Sequence, residues 1–249
     1  MVRPVALAAV PRVSVVTVVF NGESQIATTI ESILAQDYAP LDLVVIDGGS
    51  RDRTREIVAG YQPRLAHFVS EPDHGIYDAM NKGIRAARGE FILFMNCGDV
   101  FAHSGALSAA MASAQPGTEQ ALFGRWLRRA KGTADLPCRP SLERGLFNHQ
   151  AVLYSRAIHA RHGEYVTARG LTTADYLFFT TLLATGRVDC REIDADIAIV
   201  DVGGVSAGLQ TLSQKHAIDY LCGRTSRLRL LAVLALHPLY ACFKKWLRR

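Results

Sequence analysis

The chain has 249 residues, 49% of them hydrophobic and 20% charged, with a formal net charge of +5. That length suits one good-sized domain or two small ones, and the apolar content excludes a disordered or low-complexity chain. Seven basic residues and no Asp or Glu lie from Arg224 onward, leaving 21 basic against 23 acidic residues in 1–223, about −2; the body lacks the basic surface of a nucleic-acid binder.

Five cysteines, Cys97, Cys138, Cys190, Cys222 and Cys242, are scattered without a C-x-x-C pair. This argues against a zinc ribbon or a disulfide scaffold and fits a reducing compartment. Met1 to Pro11 is too short for a secretory hydrophobic region or a membrane span and is expected to be a flexible leader.

Val13, Val15, Val16, Val18 and Val19 form a β-branched run, as in a strand buried on both faces. After Asn21-Gly22, Ile26, Ile30, Ile33 and Leu34 recur at helical spacing. Leu43 to Ile46 is a second strand, closed by Asp47-Gly48-Gly49-Ser50, and a short helix over about 53–59 follows with Asp52 as its N-cap. His67 to Val69 is a third strand; Ile76, Met80 and Ile84 line one face of the next helix; Phe91 to Met95 is a fourth strand. This alternation predicts right-handed βαβ units, with ligands at the carboxyl ends of the strands. Further on, the pattern predicts a helix over 104–114, a strand over 121–127, a loop over 128–144, a strand over 151–154, and helices over 173–183 and 210–222.

Val15 to Asn21, Val45 to Asp52, Ser70 to Gly83 and Gly89 to Asp99 together resemble the family 2 glycosyltransferases. The stretch SEPDHGIYDAMNKGIRAARGEFILFMNCGD is especially similar to bacterial polysaccharide-biosynthesis members. The resemblance is strong over about 12–100, patchy to about 206 and absent in the tail. It implies an α/β GT-A fold, a Rossmann-like, largely parallel mixed sheet flanked by helices, with a C-terminal amphipathic basic helical extension. The expected organisation is a leader (1–11), a glycosyltransferase domain (12–209, nucleotide-sugar half to about 100) and a C-terminal extension (210–249). The implied activity is inverting transfer from a nucleotide-diphosphate sugar to a glycan or lipid-linked acceptor, assisted by Mg²⁺ or Mn²⁺.

Such a reaction needs a cation or basic groups against the departing diphosphate and a carboxylate to take the proton of the attacking hydroxyl. The resemblance places Phe20, Asn21 and Glu23 in the first nucleotide-binding loop, Asp47 and Gly48 against the nucleobase, Asp73 against the nucleoside, and Lys82 within reach of a phosphate. Glu23 could instead favour a helix start, Asp47 could simply open a turn, Asp73 could cap the following helix and Lys82 could be solvated. Asn96-Cys97-Gly98-Asp99 stands at the family's D-x-D position with only Asp99 acidic, so Asp99 is the expected metal ligand and Asn96 a ribose or phosphate partner. Asp175, in Thr173-Ala174-Asp175-Tyr176, matches the second position of the family's E-D motif, where the catalytic base lies; its alternative is a helix N-terminal acid. His149-Gln150 is expected on the acceptor side, and Gly203 to Ser206 as a loop closing over the diphosphate.

Leu228 to Phe243 is apolar but interrupted by Arg229, His237 and Pro238 and flanked by basic residues. It falls short of a span and suits an interfacial helix on an anionic membrane surface, with packing on the domain or in a homodimer as the alternative. The expectation is a cytoplasmic enzyme, peripheral at the inner face of the cell membrane, with no nucleic-acid partner. A non-catalytic nucleotide-sugar-binding or scaffold protein is the competing reading, motivated by Asn96 and Ala174.

Overall fold

The computed structural model describes residues 10–130, 134–201 and 209–235. In chain order its elements are β1 (Val13–Val19), α1 (Ile26–Leu34), β2 (Leu41–Asp47), α2 (Thr54–Ala59), β3 (His67–Ser70), α3 (Ile76–Ala86), β4 (Phe91–Phe94), β5 (Val100–Phe101), α4 (Ala106–Met111), β6 (Gln120–Arg129), β7 (Leu136–Cys138), β8 (Val152–Ser155), α5 (Ala157–His162), α6 (Ala174–Thr185), β9 (Asp189–Asp201) and α7 (Leu209–Leu221). Strand order in the sheet is β3-β2-β1-β4-β8-β6-β9-β5, with β7 paired to β6. The β3-β2-β1-β4 half is parallel, whereas β8 runs antiparallel to both β4 and β6.

The valine run of β1 feeds two cores. Val13, Val15 and Val19 pack on one face with α1 and α2, and Val16 and Val18 on the other with α3 and α6. A strand buried on both faces needs no polar alternation, which is why this half is readable as apolar runs. Helix α3 seats Met80 and Ile84 on the sheet. It approaches so closely that a side chain at Gly83 would overlap Val16.

Several expectations in the second half change. The helix over 104–114 shortens to Ala106–Met111, and the loop expected over 128–144 contains β7, hydrogen-bonded to the end of β6. The 13-residue β9, pairing parallel with β6, was not anticipated, nor were β5 and α5. β9 reads Asp-Cys-Arg-Glu-Ile-Asp-Ala-Asp before its apolar end. Acidic residues disfavour strands in isolation, but Arg125 on β6 donates to Asp194 and Asp196 across the sheet.

Helix α7 is tied to α6 by Tyr176 Oη donating to Asp219 (2.8 Å) and by Thr172 and Thr173 hydroxyls donating to Gln214, while Ile218 joins the main core. Its described part thus packs against α6 and the main core. Residues 1–9, the Gly203–Ser206 turn and the tail from 236 lie outside the described residues. Among those described, no helix is long and apolar enough to cross a membrane.

Candidate active site

The carboxyl ends of β1, β2, β3 and β4 converge on one rim. Asn21 occupies the left-handed region (φ 51°), which Asn tolerates better than most residues. Its Oδ1 accepts from Arg51 N at 2.9 Å, and its own amide donates to Ser50 Oγ at 2.7 Å. Glu23 accepts from Arg53 N at 2.9 Å, so this carboxylate joins the first loop to the loop after β2 and is not in the first turn of α1. Asp52 accepts from Glu23 N and Thr54 N; it stands one residue before the N-cap, which is Arg53. Phe20 is 62% exposed at this edge, leaving an aromatic ring open to a ligand.

Asp47 is fully buried. Its carboxylate accepts from Ser50 N (3.1 and 3.2 Å) and from the hydroxyls of Ser50 and Ser70. It therefore fixes the two loops and presents no free oxygen to the rim. Asp73 is partly exposed: it lies against Gly48, where any side chain would overlap it, and accepts from Gly75 N at 2.9 Å. The helix N-cap itself is Gly75, so Asp73 is not the cap. Lys82 reaches Pro72 O (3.0 Å) and Glu71 (2.9 Å), bracing the Glu71–Asp73 turn. An open cleft of about 1090 Å³ between Ser50–Ala59 and Phe68–Ser70 flanks this wall; Asp99 and Asp175 lie outside it.

The second centre joins residues from distant segments. Asn96 and Asp99 end one tight turn, closed by Asp99 N donating to Asn96 O at 2.9 Å. Asn148 caps a short 3-10 turn by accepting from Gln150 N, and that turn aims His149 and Gln150 at the end of β4. Gln150 Nε2 donates to Asp99 Oδ2 at 2.6 Å, and Asp201 N, at the end of β9, reaches Asp99 Oδ1 at 3.3 Å. Burial pushes the Asp99 carboxyl up to about 6, against the lowering effect of His149 and the Gln150 hydrogen bond.

His149 Nδ1 lies 2.8 Å from Asp175 Oδ2, and Tyr77 Oη donates to Asp175 Oδ1 at 2.6 Å. On its other side, His149 Nε2 meets Asn96 Nδ2 at 3.0 Å. His149 thus bridges Asp175 and the Asn96 turn through its two ring nitrogens. Burial alone would raise the Asp175 carboxyl, but His149 and Tyr77 outweigh it and hold it at about 2. Asp175 is thus an ionised carboxylate at neutral pH, 15% exposed, at the start of α6.

The donor set around Asp99 fits a hard divalent cation. Among the described residues no three His, Cys, Asp or Glu side chains cluster as a metal site. Two buried amide oxygens, Asn96 Oδ1 and Gln150 Oε1, nevertheless have no hydrogen-bond partner, and oxygen ligands are what Mg²⁺ and Mn²⁺ take. Cys97 is unsuited, since burial raises its thiol to about 12. Tyr77, Asn148 and Asp201 were missed from sequence. Asn148 adjoins His149-Gln150 and Asp201 lies two residues before Gly203, while Tyr77 carries no signal beyond lying in the EPDHGIYDAM stretch.

The parallel half of the mixed sheet carries a carboxylate-bearing rim at its strand carboxyl ends, where open α/β sheets bind ligands. The model of glycosyl transferase family 2 matches residues 14–164. A glycosyltransferase of Mycobacterium tuberculosis is 30% identical over 202 residues, covering 78% of this chain and 77% of the relative. A PGL/p-HBAD biosynthesis glycosyltransferase of Mycobacterium bovis is 28% identical over 166 residues, covering 63% of this chain and 64% of the relative. Among solved structures, residues 1-349 of Staphylococcus aureus TarS in complex with UDP share the fold with TM-score 0.68 at 19% identity, over 89% of this chain and 68% of that TarS fragment. The mannosyltransferase PcManGT from Pyrobaculum calidifontis, in complex with GDP-Man and Mn²⁺, does so with TM-score 0.67 at 20% identity, over 91% of this chain and 70% of PcManGT. The chain belongs to glycosyl transferase family 2 and has the GT-A fold.

Proposed function

We propose that this glycosyltransferase moves a sugar, with inversion, from a nucleotide-diphosphate donor to a hydroxyl of a glycan or lipid-linked acceptor. The acceptor oxygen bonds to the anomeric carbon as the bond from that carbon to the diphosphate oxygen breaks. The hydroxyl proton passes to Asp175, and the nucleoside diphosphate departs. The observation that carries this reading is the hydrogen-bonded run Asp175–His149–Asn96, which joins an ionised carboxylate to the turn bearing Asp99.

Phe20 offers a face for the nucleobase, Asp73 beside Gly48 accepts from the nucleoside, and Asn96 bonds a ribose or phosphate; Asp47, Asn21, Glu23 and Lys82 hold the loops that carry them. Asp99 would hold Mg²⁺ or Mn²⁺, which when bound neutralises charge developing on the diphosphate. His149 and Gln150 stand between that turn and Asp175, facing the acceptor side. The sugar is of hexosyl or N-acetylhexosaminyl type, in keeping with TarS, solved with UDP-GlcNAc, and PcManGT, solved with GDP-Man. The deciding experiment is Asp175→Asn, expected to abolish transfer while donor binding persists; full activity would reject the assignment.

A degenerate, non-catalytic nucleotide-sugar binder is the second reading, favoured by Asn96 and Ala174 standing where acidic residues are expected. Metal-dependent release of nucleoside diphosphate, lost in Asp99→Ala, decides against it.

The helical residues 227–235 expose Leu228, Leu231 and Leu234 beside Arg227 and Arg229. This pattern suits an anionic membrane surface and supports the reading of peripheral attachment at the inner face of the cell membrane, in polysaccharide biosynthesis. Flotation with anionic liposomes, lost when all three leucines become Gln, tests attachment; unchanged flotation rejects it, and a dimer on the column points to self-association instead.

A further inference from the structure

The D-x-D position of this chain lacks its first carboxylate, yet the oxygens around Asp99 are not those of an ordinary solvated turn. Gln150 is 6% exposed and Asn96 7%, and each has a side-chain carbonyl oxygen with no hydrogen-bond partner. Buried carbonyls normally find donors, because desolvating one without compensation is unfavourable. The amide nitrogen of Gln150 faces Asp99, donating to Oδ2 at 2.6 Å. Its orphan oxygen is the other end of that same amide. Asn96 is held three residues from Asp99 by the backbone hydrogen bond that closes their turn.

We propose that Gln150 is a cation ligand of this chain, and that its side-chain carbonyl, with that of Asn96, completes around Asp99 the oxygen shell that a second carboxylate would otherwise supply. The inference rests on the donor-binding reading above. The terminal torsion of Gln is broad and nearly two-fold, so half a turn exchanges nitrogen for oxygen without moving the backbone. With no cation, the amide nitrogen satisfies the buried Asp99 carboxylate; with one, the carbonyl oxygen turns to the ion. Two neutral amides and one carboxylate give a site of lower charge than two carboxylates, and ligand charge is a principal control of divalent-cation affinity.

The test is Mn²⁺ titration of the full chain, followed by loss of the free-ion EPR signal, with circular dichroism and thermal midpoint as folding controls. Gln150→Glu and Asn96→Asp, both near in shape to the native residues, are expected to tighten Mn²⁺ binding about tenfold, and Gln150→Leu to weaken it by about tenfold or more. Asp99→Asn is expected to abolish it. Should Gln150→Leu fail to fold, Gln150→Glu decides alone. Equal Mn²⁺ affinity in wild type and Gln150→Glu overturns the proposal. Calorimetry with UDP and with GDP in EDTA separates the two readings. Nucleotide binding with Mn²⁺ affinity indifferent to Gln150 rejects this ligand assignment alone. A wild type that binds neither nucleotide nor Mn²⁺ rejects both.

Discussion

His149 Nδ1 is 2.8 Å from Asp175 Oδ2, so the only acid at the start of α6 is paired with the residue that also touches Asn96. Through it, the candidate base and the nucleotide-side turn form one hydrogen-bonded assembly. A ring held at both nitrogens fixes the direction of the carboxylate, which matters because a general base must lie within hydrogen-bond reach of the proton it takes. His149→Ala is expected to lower kcat roughly 10–100-fold by loosening Asp175, with little change in donor affinity. Steady-state kinetics with calorimetric donor binding check this; an equal loss in both would assign His149 to the donor site.

The same pair sets an acid-stability signature. Asp175 is held at about 2, below the ordinary carboxylate value of 3.8. A depressed folded-state value stabilises the fold above the unfolded value, and that stabilisation is lost as pH falls through the folded one. The contribution should be present in full above about pH 4 and fade toward pH 2, on the order of 2 kcal/mol. Urea unfolding of wild type and Asp175→Asn across this window should show their difference shrinking as pH falls. A constant difference would remove the electrostatic explanation.

Gly48 abuts the Asp73 carboxylate, and no Cβ fits there without displacing it. Gly48→Ala is expected to cost about 1–3 kcal/mol through overpacking and to weaken nucleotide binding as Asp73 moves. Thermal melts and titration with UDP or GDP measure the two effects; unchanged nucleotide affinity would take Asp73 out of the donor site.

Asp47 is a different kind of carboxylate. Its oxygens serve Ser50 and Ser70, so Asp47→Ala leaves buried donors unpaired and should destabilise the protein by about 1–3 kcal/mol or more. Asp73→Ala, at a partly exposed position, should leave the melting temperature nearly unchanged while reducing nucleotide affinity. Reversal of that pattern would exchange the roles of the two residues.

Much of the first half was legible because its physics is local. The valines of β1 and the Leu43–Ile46 run of β2 are buried on both faces, and Met80 and Ile84 recur at helical spacing, so apolar content alone marks them. Strand β9 was not legible: Asp194 and Asp196 are tolerated only because Arg125 stands across the sheet on β6. The site divides the same way. Asp47, Asp73, Asn96 and Asp99 lie at strand ends where a parallel sheet presents its ligands, and the sequence alone identified those positions as the rim. Which carboxylate is sealed and which is offered could not be read there, since Asp47 is sealed by the Ser50 amide and the hydroxyls of Ser50 and Ser70, the last of them from a different strand.

By itself, then, the sequence determined the strand–helix alternation, the rim and the family resemblance, because short-range periodicity and turn chemistry encode them. Only the tertiary structure decided that Tyr77, His149 and Asp175 form one cluster and that Gln150 and Asp201 surround Asp99. Those contacts join segments remote along the chain, and only packing of the second half against the first brings them within hydrogen-bonding distance.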